Sequence, residues 1–600
     1  MKTYKSINLI LNLLLTASLL AYLSGCNEDD YLENTNKSVL TDETQWKSES
    51  NADIYLNDIY NNLHDFYDYC PENLDNFTDD NDAGFYYTSW NWKQGIVDPS
   101  STNYTIWGGK TGPACLDRLN WAAAYSSIRK CNLFLEQINS HKANFTEVWF
   151  NKRVDEVRFL RTFFYCGLWM HLGGLPIITE VQIRSSDSTE LYRTRNTFEE
   201  TVTFMRSELD TIVKNGNLVV KYNSGDPNAG RVTLGAVLML KGWIELYAAS
   251  PAFNAPTPAS GDDPNKVAGY NNYDLNRWKE AATSFKTFID NYGNTYKLFS
   301  DPEKIWTEEN EYNSEVIWDR QYVTDVIPSW YETHGGPVWI NGVYYTWGNY
   351  DPTQELVDEF AMANGKTITD PTSGYDPQHP YINREPRFYN WIVYDGAPYK
   401  MDWMSKQDTI YTRIDKVRPS KNQIDFGNDD VSNTGYYFKK KLNPKVIPGS
   451  NASGANFIYY RYAEVLLGYA EAQNEASGPD VSVYNAINEI RRRGGISDLP
   501  MGLSKEEMRQ AIRHERRVEL CFENKRFYDI IRWKIAMDVM NVDKHGMKIT
   551  NSSPNDNKGN WVYEPIPLNH PHVFTQKMYL NPIPLQVIAQ NPKLVQNPGY

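Results

Sequence analysis

The stretch from Thr233 to Ala249 is apolar on nearly every side, with Leu238, Leu240, Trp243 and Leu246 along it. A helix that is hydrophobic all round must be enclosed by other elements. It therefore demands several partner helices, and the sequence supplies them. Residues Val148 to Leu172 place Val157, Leu160, Phe164 and Leu168 at steps of three and four, and Gly173-Gly174 with Pro176 stop that helix. Trp278 to Tyr292, Tyr459 to Ala476, Val481 to Arg493 and Ser504 to Asn541 follow the same logic. Ser504 with Glu507 makes a capping box. Strand signals are short and scattered. The fold class is mainly α, and helix pairs of tetratricopeptide type are compatible with it, although no repeat of fixed period stands out.

Long irregular segments separate the helices. Asp79 to Gly109, Ala252 to Asn276, Pro328 to Tyr350 and Asn364 to Asn456 have no sustained period. Loops of this length are functional or disordered. Two of them are crowded with Trp and Tyr, which argues against disorder. The chain holds 18 Trp and 42 Tyr, more than a core alone requires. Aromatic rings in polar loops suit carbohydrate, because the C–H face of a sugar lies flat on a ring. The net charge of -15 argues against binding to nucleic acid. None of the six cysteines forms a CxxC pair, so no zinc site is expected. Cys131 and Cys166 fall inside helical patterns and read as small buried hydrophobes.

The N-terminus is a separate module. Lys2 and Lys5 precede an apolar run from Ile7 to Leu23, which closes on Ser24-Gly25-Cys26 and an acidic run, Asn27-Glu28-Asp29-Asp30. This resembles a bacterial lipoprotein signal, with residues 1–25 removed and Cys26 acylated. The acidic residues after the cysteine resemble the export tag of Bacteroidetes surface lipoproteins. An ordinary secretory signal with a cysteine near its cleavage site is the alternative.

The C-terminal third carries four linked patterns: YYRYAEVLLGYAEAQNEASG (Tyr459 to Gly478), YNAINEIRRRGGI (Tyr484 to Ile496), HERRVELCFENKRFYDIIRW (His514 to Trp533) and YLNPIPLQVIAQNPKLVQNPGY (Tyr579 to Tyr600). With RFLRTFFYCGLWMHLGGLPIIT (Arg158 to Thr179), they resemble the SusD/RagB family of nutrient-binding outer-membrane lipoproteins. The resemblance implies a SusD-like fold, with tetratricopeptide-type helix pairs packed against a loop-rich ligand-binding region that has few short strands. It divides the chain into residues 26–260 and 261–600, joined in one globule. It also implies a lipid-anchored protein on the outer face of the outer membrane. Such a protein captures glycan, less often peptide, and passes it to a SusC-like TonB-dependent transporter, without cofactor, metal or catalysis of its own. Within the fourth of these segments in chain order, Glu515, Arg516, Glu519, Glu523, Arg526, Asp529 and Arg532 read as a helical charge ladder of surface pairs rather than as chemistry.

Candidate ligand-binding residues follow from the aromatic loops. The first offers Trp90, Trp92 and Trp107, with Asp80, Asn81 and Asp82 to hydrogen-bond sugar hydroxyls. In an extended segment Trp90 and Trp92 would share a face. The second offers Trp330, Trp339, Tyr344 and Trp347. The expectation is a glycan held by stacking rather than by charge. The competing reading is that each ring pins its own loop. Asp79 to Asp82 could instead hold calcium, but the run does not fit an EF-hand loop. No HExxH, GxSxG or glycine-rich phosphate loop occurs, although a glycoside hydrolase built on an unrecognised carboxylate pair stays open as a third alternative.

Overall fold

The computed structural model describes residues 42–63, 74–83, 89–100, 121–183, 191–324, 326, 330–348, 350–426, 431–449, 453–553, 559–569 and 571–600. The signal segment, Cys26 and Trp107 lie outside them. The longer helices are α1 (Glu49–Asn61), α2 (Trp121–Ser140), α3 (Glu147–Leu172), α4 (Phe198–Asn215), α5 (Leu234–Ala249), α6 (Asn276–Tyr292), α7 (Tyr462–Ser477), α8 (Val481–Arg493) and α9 (Lys505–Glu519), followed by the short α10 (Arg526–Arg532). From α2 to α8 each helix packs on the next, and α7 also packs on α5 and α9. Among the described residues no helix is long and apolar enough to cross a membrane.

The helices begin and end where the side chains dictate. Thr146, Thr197, Thr233 and Ser504 each accept a backbone N–H from the first turn that follows. The Ser504–Glu507 box is reciprocal, at 3.2 and 2.8 Å. Helix α3 stops at Gly173, whose φ of 76° belongs to the left-handed region. A β-carbon there would also strike the Val267 carbonyl oxygen, so glycine is required twice over. Helix α5 is buried along almost its whole length, as its composition demands. Phe285 of α6 wedges between Gly242 of α5 and Gly468 of α7, where added β-carbons would lie 2.8 and 2.6 Å from its ring. These two glycines let three helices close on one aromatic side chain.

Strands are short and pair two by two. β1 (Val316–Arg320) pairs antiparallel with β4 (Phe457–Arg461), β2 (Trp339–Ile340) with β3 (Val343–Tyr344), and β5 (His545–Asn551) with β6 (Trp561–Pro567). Tyr459 and Tyr460, expected at the start of a helix, belong to β4 instead. Their rings cover Trp318 of β1.

The predicted helix from Ser504 to Asn541 is divided. It breaks after Glu519, where Phe522 and Asn524 take φ of 62° and 61°. Two non-glycine residues in the left-handed region end a helix regardless of its charge spacing. The expected surface ladder is likewise corrected. Asp529 and Arg532 do pair at 2.9 Å, but both are buried. Most of the signature charges instead reach other elements. Arg461, fully buried, donates to Glu315 at 2.5 Å, Glu519 at 2.8 Å and Glu523 at 2.7 Å. Arg387 donates to Glu385 and Glu515, both at 2.7 Å, and to Glu519 at 3.0 Å. Arg493 bridges Glu315 and Glu519, Arg491 reaches Glu515, and Lys440 reaches Glu523. Helical periodicity cannot distinguish a solvated charged face from one whose partners lie elsewhere in the chain.

Burial pushes the Glu523 carboxyl up, but Arg461 and Lys440 overcome it and hold the group at about 2. Glu519 is likewise held well below the carboxylate range by Arg493, Arg461 and Arg387 against its burial. A depressed carboxylate stabilises the fold above its unfolded pKa, and that contribution is lost as pH falls toward the folded value. Urea unfolding of wild type and Glu523→Gln should therefore differ by about 3–5 kcal/mol near neutral pH, as for a broken buried pair. That gap should close as pH falls from 4.5 toward about 2.

Candidate functional site

The first aromatic loop is mostly interior. Arg526 holds Asp79 at 2.7 and 2.9 Å, and Arg517 spans Asp79 at 3.0 Å and Asp80 at 2.7 Å. Asn81 and Asp82 pair as a two-residue strand with Pro352 and Asp351. Lys93 closes the segment by donating to the Asn81 carbonyl at 2.8 Å and to Asp82 at 2.9 Å. Asp80, Asn81 and Asp82 are at most 1% exposed. This corrects their placement in a surface site, because their polar atoms face the interior rather than solvent. Burial pushes Asp80 up to about 6 in spite of Arg517, whereas Arg526 and Arg517 overcome burial at Asp79 and hold it low.

Trp92 is also corrected. It is 1% exposed, and its ring meets Phe77, Phe527 and Phe574 at centroid distances of 5.5 to 5.8 Å. The segment expected to be extended is a helical turn, Trp90–Lys93. Trp107 lies outside the described residues.

The second loop reaches the surface. Trp330 opens a short helix, Trp330–His334. Trp347 is half-buried, edge-on to His334 at 4.7 Å. Trp339 and Tyr344 are brought together as direct cross-strand partners on β2 and β3. The turn between the strands is Asn341-Gly342, with φ of 51° and 80°. Positive φ at both central residues is the signature of a type I′ hairpin. The register puts Trp339 and Tyr344 on one face, with ring centroids 5.4 Å apart and planes at 78°. Tyr344 is 38% exposed, the neighbouring Val343 51%, and Trp339 half-buried.

The hairpin is held firmly. Asn422 clamps Trp339, accepting its N–H at 2.9 Å and donating to its carbonyl at 2.6 Å. At the turn, the Asn341 N–H donates to Asp408, and its side-chain amide donates to the Lys406 carbonyl. Beneath the strands, Val338 and Ile340 join a small core with Tyr399, Met404, Ile410 and Tyr437. Tyr345 packs on Trp403 at 4.8 Å. Lys421 places its ammonium 3.8 Å from the centre of the Trp339 ring. The sequence reading missed Trp403, Lys421 and Asn422, which reach the hairpin from distant segments. The turn itself had a signal, since Asn-Gly between apolar residues marks a hairpin.

The groups gathered at this face are aromatic rings, an ammonium and side-chain amides. Groups of these kinds can engage a ligand by stacking, hydrogen bonding and charge. Among the described residues no group of three or more His, Cys, Asp or Glu is disposed to hold a metal. A cleft of about 300 Å³ lies elsewhere, between α2 and the C-terminal residues Val587 to Leu594, and contains none of the predicted site residues.

Comparison with known proteins places this architecture. Residues 302–600 match the SusD family, and residues 30–214 match a family described as starch-binding and associating with the outer membrane. The chain belongs to the SusD/RagB family. A SusD-like protein of Formosa agariphila, P38, is 23% identical, and the alignment covers all of both chains. A SusD-like protein from Bacteroides fragilis superposes with a TM-score of 0.72 at 26% identity, covering 93% of this chain and 99% of that one. A second Bacteroides fragilis structure, a SusD-like carbohydrate-binding protein, has a TM-score of 0.70 at 21% identity, covering 92% and 100%. The fold is therefore the SusD-like one that the sequence motifs implied.

The two aromatic fates separate in mutants. Trp92→Ala should cost about 3–5 kcal/mol of stability, as for a buried Trp. Molecules that remain folded should bind ligand as wild type does. Chemical denaturation combined with calorimetry below the melting temperature reads both quantities.

Proposed function

We propose that this protein is a cell-surface lipoprotein that captures oligosaccharide or polysaccharide and delivers it to a TonB-dependent transporter in the outer membrane. The observation that carries the ligand class is the exposed Trp339–Tyr344 hairpin. It offers aromatic surface on a rigid support, which suits sugar rings. Family membership supports the reading, as does a structural relative described as carbohydrate-binding. Trp330 and Trp347, on the same loop, are candidates to extend the platform, and Trp90 and Trp107 remain candidates from the first loop. The protein binds its ligand without turning it over, and no cofactor takes part.

Calorimetry against a polysaccharide panel tests the platform. Truncating a central ring, Trp339→Ala or Tyr344→Ala, should cost about 2 kcal/mol or more, roughly thirtyfold in affinity. Thermal unfolding of each variant should stay within a few degrees of wild type. Unchanged affinity in both variants would move the site elsewhere. Binding to peptide pools and to no polysaccharide would favour a peptide-binding member of the family. Repeated release of reducing ends would make the protein a hydrolase.

Anchoring rests on Cys26 and its sequence context. Cys26→Ala should release the protein from the outer-membrane fraction and remove it from protease attack on whole cells. A variant that stays as tightly bound as wild type refutes acylation at this residue. Solubilisation in mild detergent should yield a co-purifying barrel protein if the transporter partnership holds.

A further inference from the structure

The ammonium over Trp339 is part of a larger charged feature. Residues 413–423 form a loop closed at its base, where the Ile424 N–H donates to the Thr412 carbonyl at 2.9 Å. Lys416, Arg418 and Lys421 are all exposed on this loop. None of the three makes an ion pair within 4 Å among the described residues. The acid within this stretch, Asp415, is engaged locally, accepting the N–H groups of Val417 and Arg418 at 2.9 and 3.0 Å. Asp425 lies just beyond the loop. At the hairpin turn, Lys406 is also exposed and makes no ion pair among the described residues, while Asp408 accepts the N–H groups of Asn341 and Thr409.

Lys416, Arg418 and Lys421 are clustered within six residues of one another. The protein carries a net charge of -15, and the buried arginines of its C-terminal charge network, Arg387, Arg461 and Arg493, are matched to carboxylates. A run of cations without ion pairs costs repulsion among its members, offset here by the contact of Lys421 with the Trp339 ring and the nearby charge of Asp415 on Arg418. The loop is nonetheless tied to the proposed platform. Asn422 fixes one end to the Trp339 backbone, and Lys421 lies against the Trp339 ring. A cation on a ring attracts the ring's electron-rich face and still keeps its outward N–H groups for a partner. The site therefore combines a surface for a sugar ring with donors for an anion beside it.

We propose that the glycan taken by this hairpin is polyanionic. Its rings lie against Trp339 and Tyr344, and its sulfate or carboxylate substituents are held by Lys421, with Arg418, Lys416 and Lys406 supplying the surrounding positive field. The inference rests on the glycan-binding reading above and changes the expectation of a ligand held by stacking alone. Sulfate ester and uronate present the same chemistry to these cations, and matched probes separate the two.

The test uses the full mature chain and calorimetry on paired polymers. One pair is carrageenan and its desulfated product, the second is polygalacturonate and its carboxyl-reduced product, and neutral laminarin is the reference. At least one charged polymer should bind tenfold or more tightly than its uncharged counterpart, and the sulfated and uronic arms show which anion is preferred. Its affinity should fall steeply as salt is raised, because exposed charges are screened. Lys421→Met, which keeps an unbranched apolar chain over the ring, should lose roughly tenfold in affinity and flatten the salt dependence, as expected when one charge contact is removed. Lys421→Arg should restore both. Neutral polymers binding as well as charged ones, with no salt dependence, would overturn the inference and leave the glycan reading standing. Binding of none of the five polymers would overturn both.

Discussion

The Arg461 guanidinium is the point on which the C-terminal architecture depends. It sits where β4 becomes α7, and its partners come from three other places in the chain: Glu315 before β1, Glu519 at the end of α9, and Glu523 in the break that follows. A charge removed from water is tolerated only when it is paired and its hydrogen bonds are satisfied. Moving any one of these segments would strand a buried charge. The constraint works through geometry as well as energy. The backbone carbonyl of Glu519 accepts from both Arg461 and Lys440, so the free C-terminal end of α9 is satisfied by cations. Ending α9 there turns the chain, and Asn524 in the break then accepts the Leu74 N–H and donates its own N–H to Asp75.

A continuous set of contacts runs from that network to the aromatic hairpin. Lys440 follows closely on Tyr437 and Phe438, which pair with Ile392 and Val393. Tyr437 lies in the small core under the hairpin, and its hydroxyl donates to Asn422 at 3.4 Å, the residue that clamps Trp339. The platform thus stands on a strand pair that is tied within a few residues to a buried ion cluster. Rigidity of this kind lowers the entropy lost when a ligand is held. It also explains how a surface loop keeps a half-buried tryptophan in a fixed position.

The helices were legible because each carries its own signal. Periodicity, caps and glycine stops placed α3, α5, α6 and α8 to within a residue or two. The parts that were not legible depend on partners far away in the chain. Glu515, Glu519 and Glu523 have helical spacing, and nothing local reveals that Arg387, Arg461 and Arg493 enclose them. The same holds for Asp79 and Asp80, whose polarity suggests a surface until Arg517 and Arg526 are placed beside them. For a buried ion pair, each half alone has the sequence signature of an exposed residue.

Trp92 and Trp339 mark the same limit at the site. Both occur in polar, glycine-bearing segments, and their composition gives no reason to separate them. What separates them is backbone geometry. Around Trp92 the chain closes into a helical turn, and Lys93 ties it to buried Asp82, so the ring is drawn among Phe77, Phe527 and Phe574. Around Trp339 the Asn341-Gly342 turn fixes a two-residue register. That register commits Trp339 and Tyr344 to one face while Ile340 joins the core beneath. Alternation along a strand puts successive side chains on opposite faces. Val338 and Ile340 fill the small core and the half-buried Trp339 packs against it, so the ring is fixed in place by its neighbours while Tyr344 beside it stays open to solvent, and that is the condition a binding platform needs.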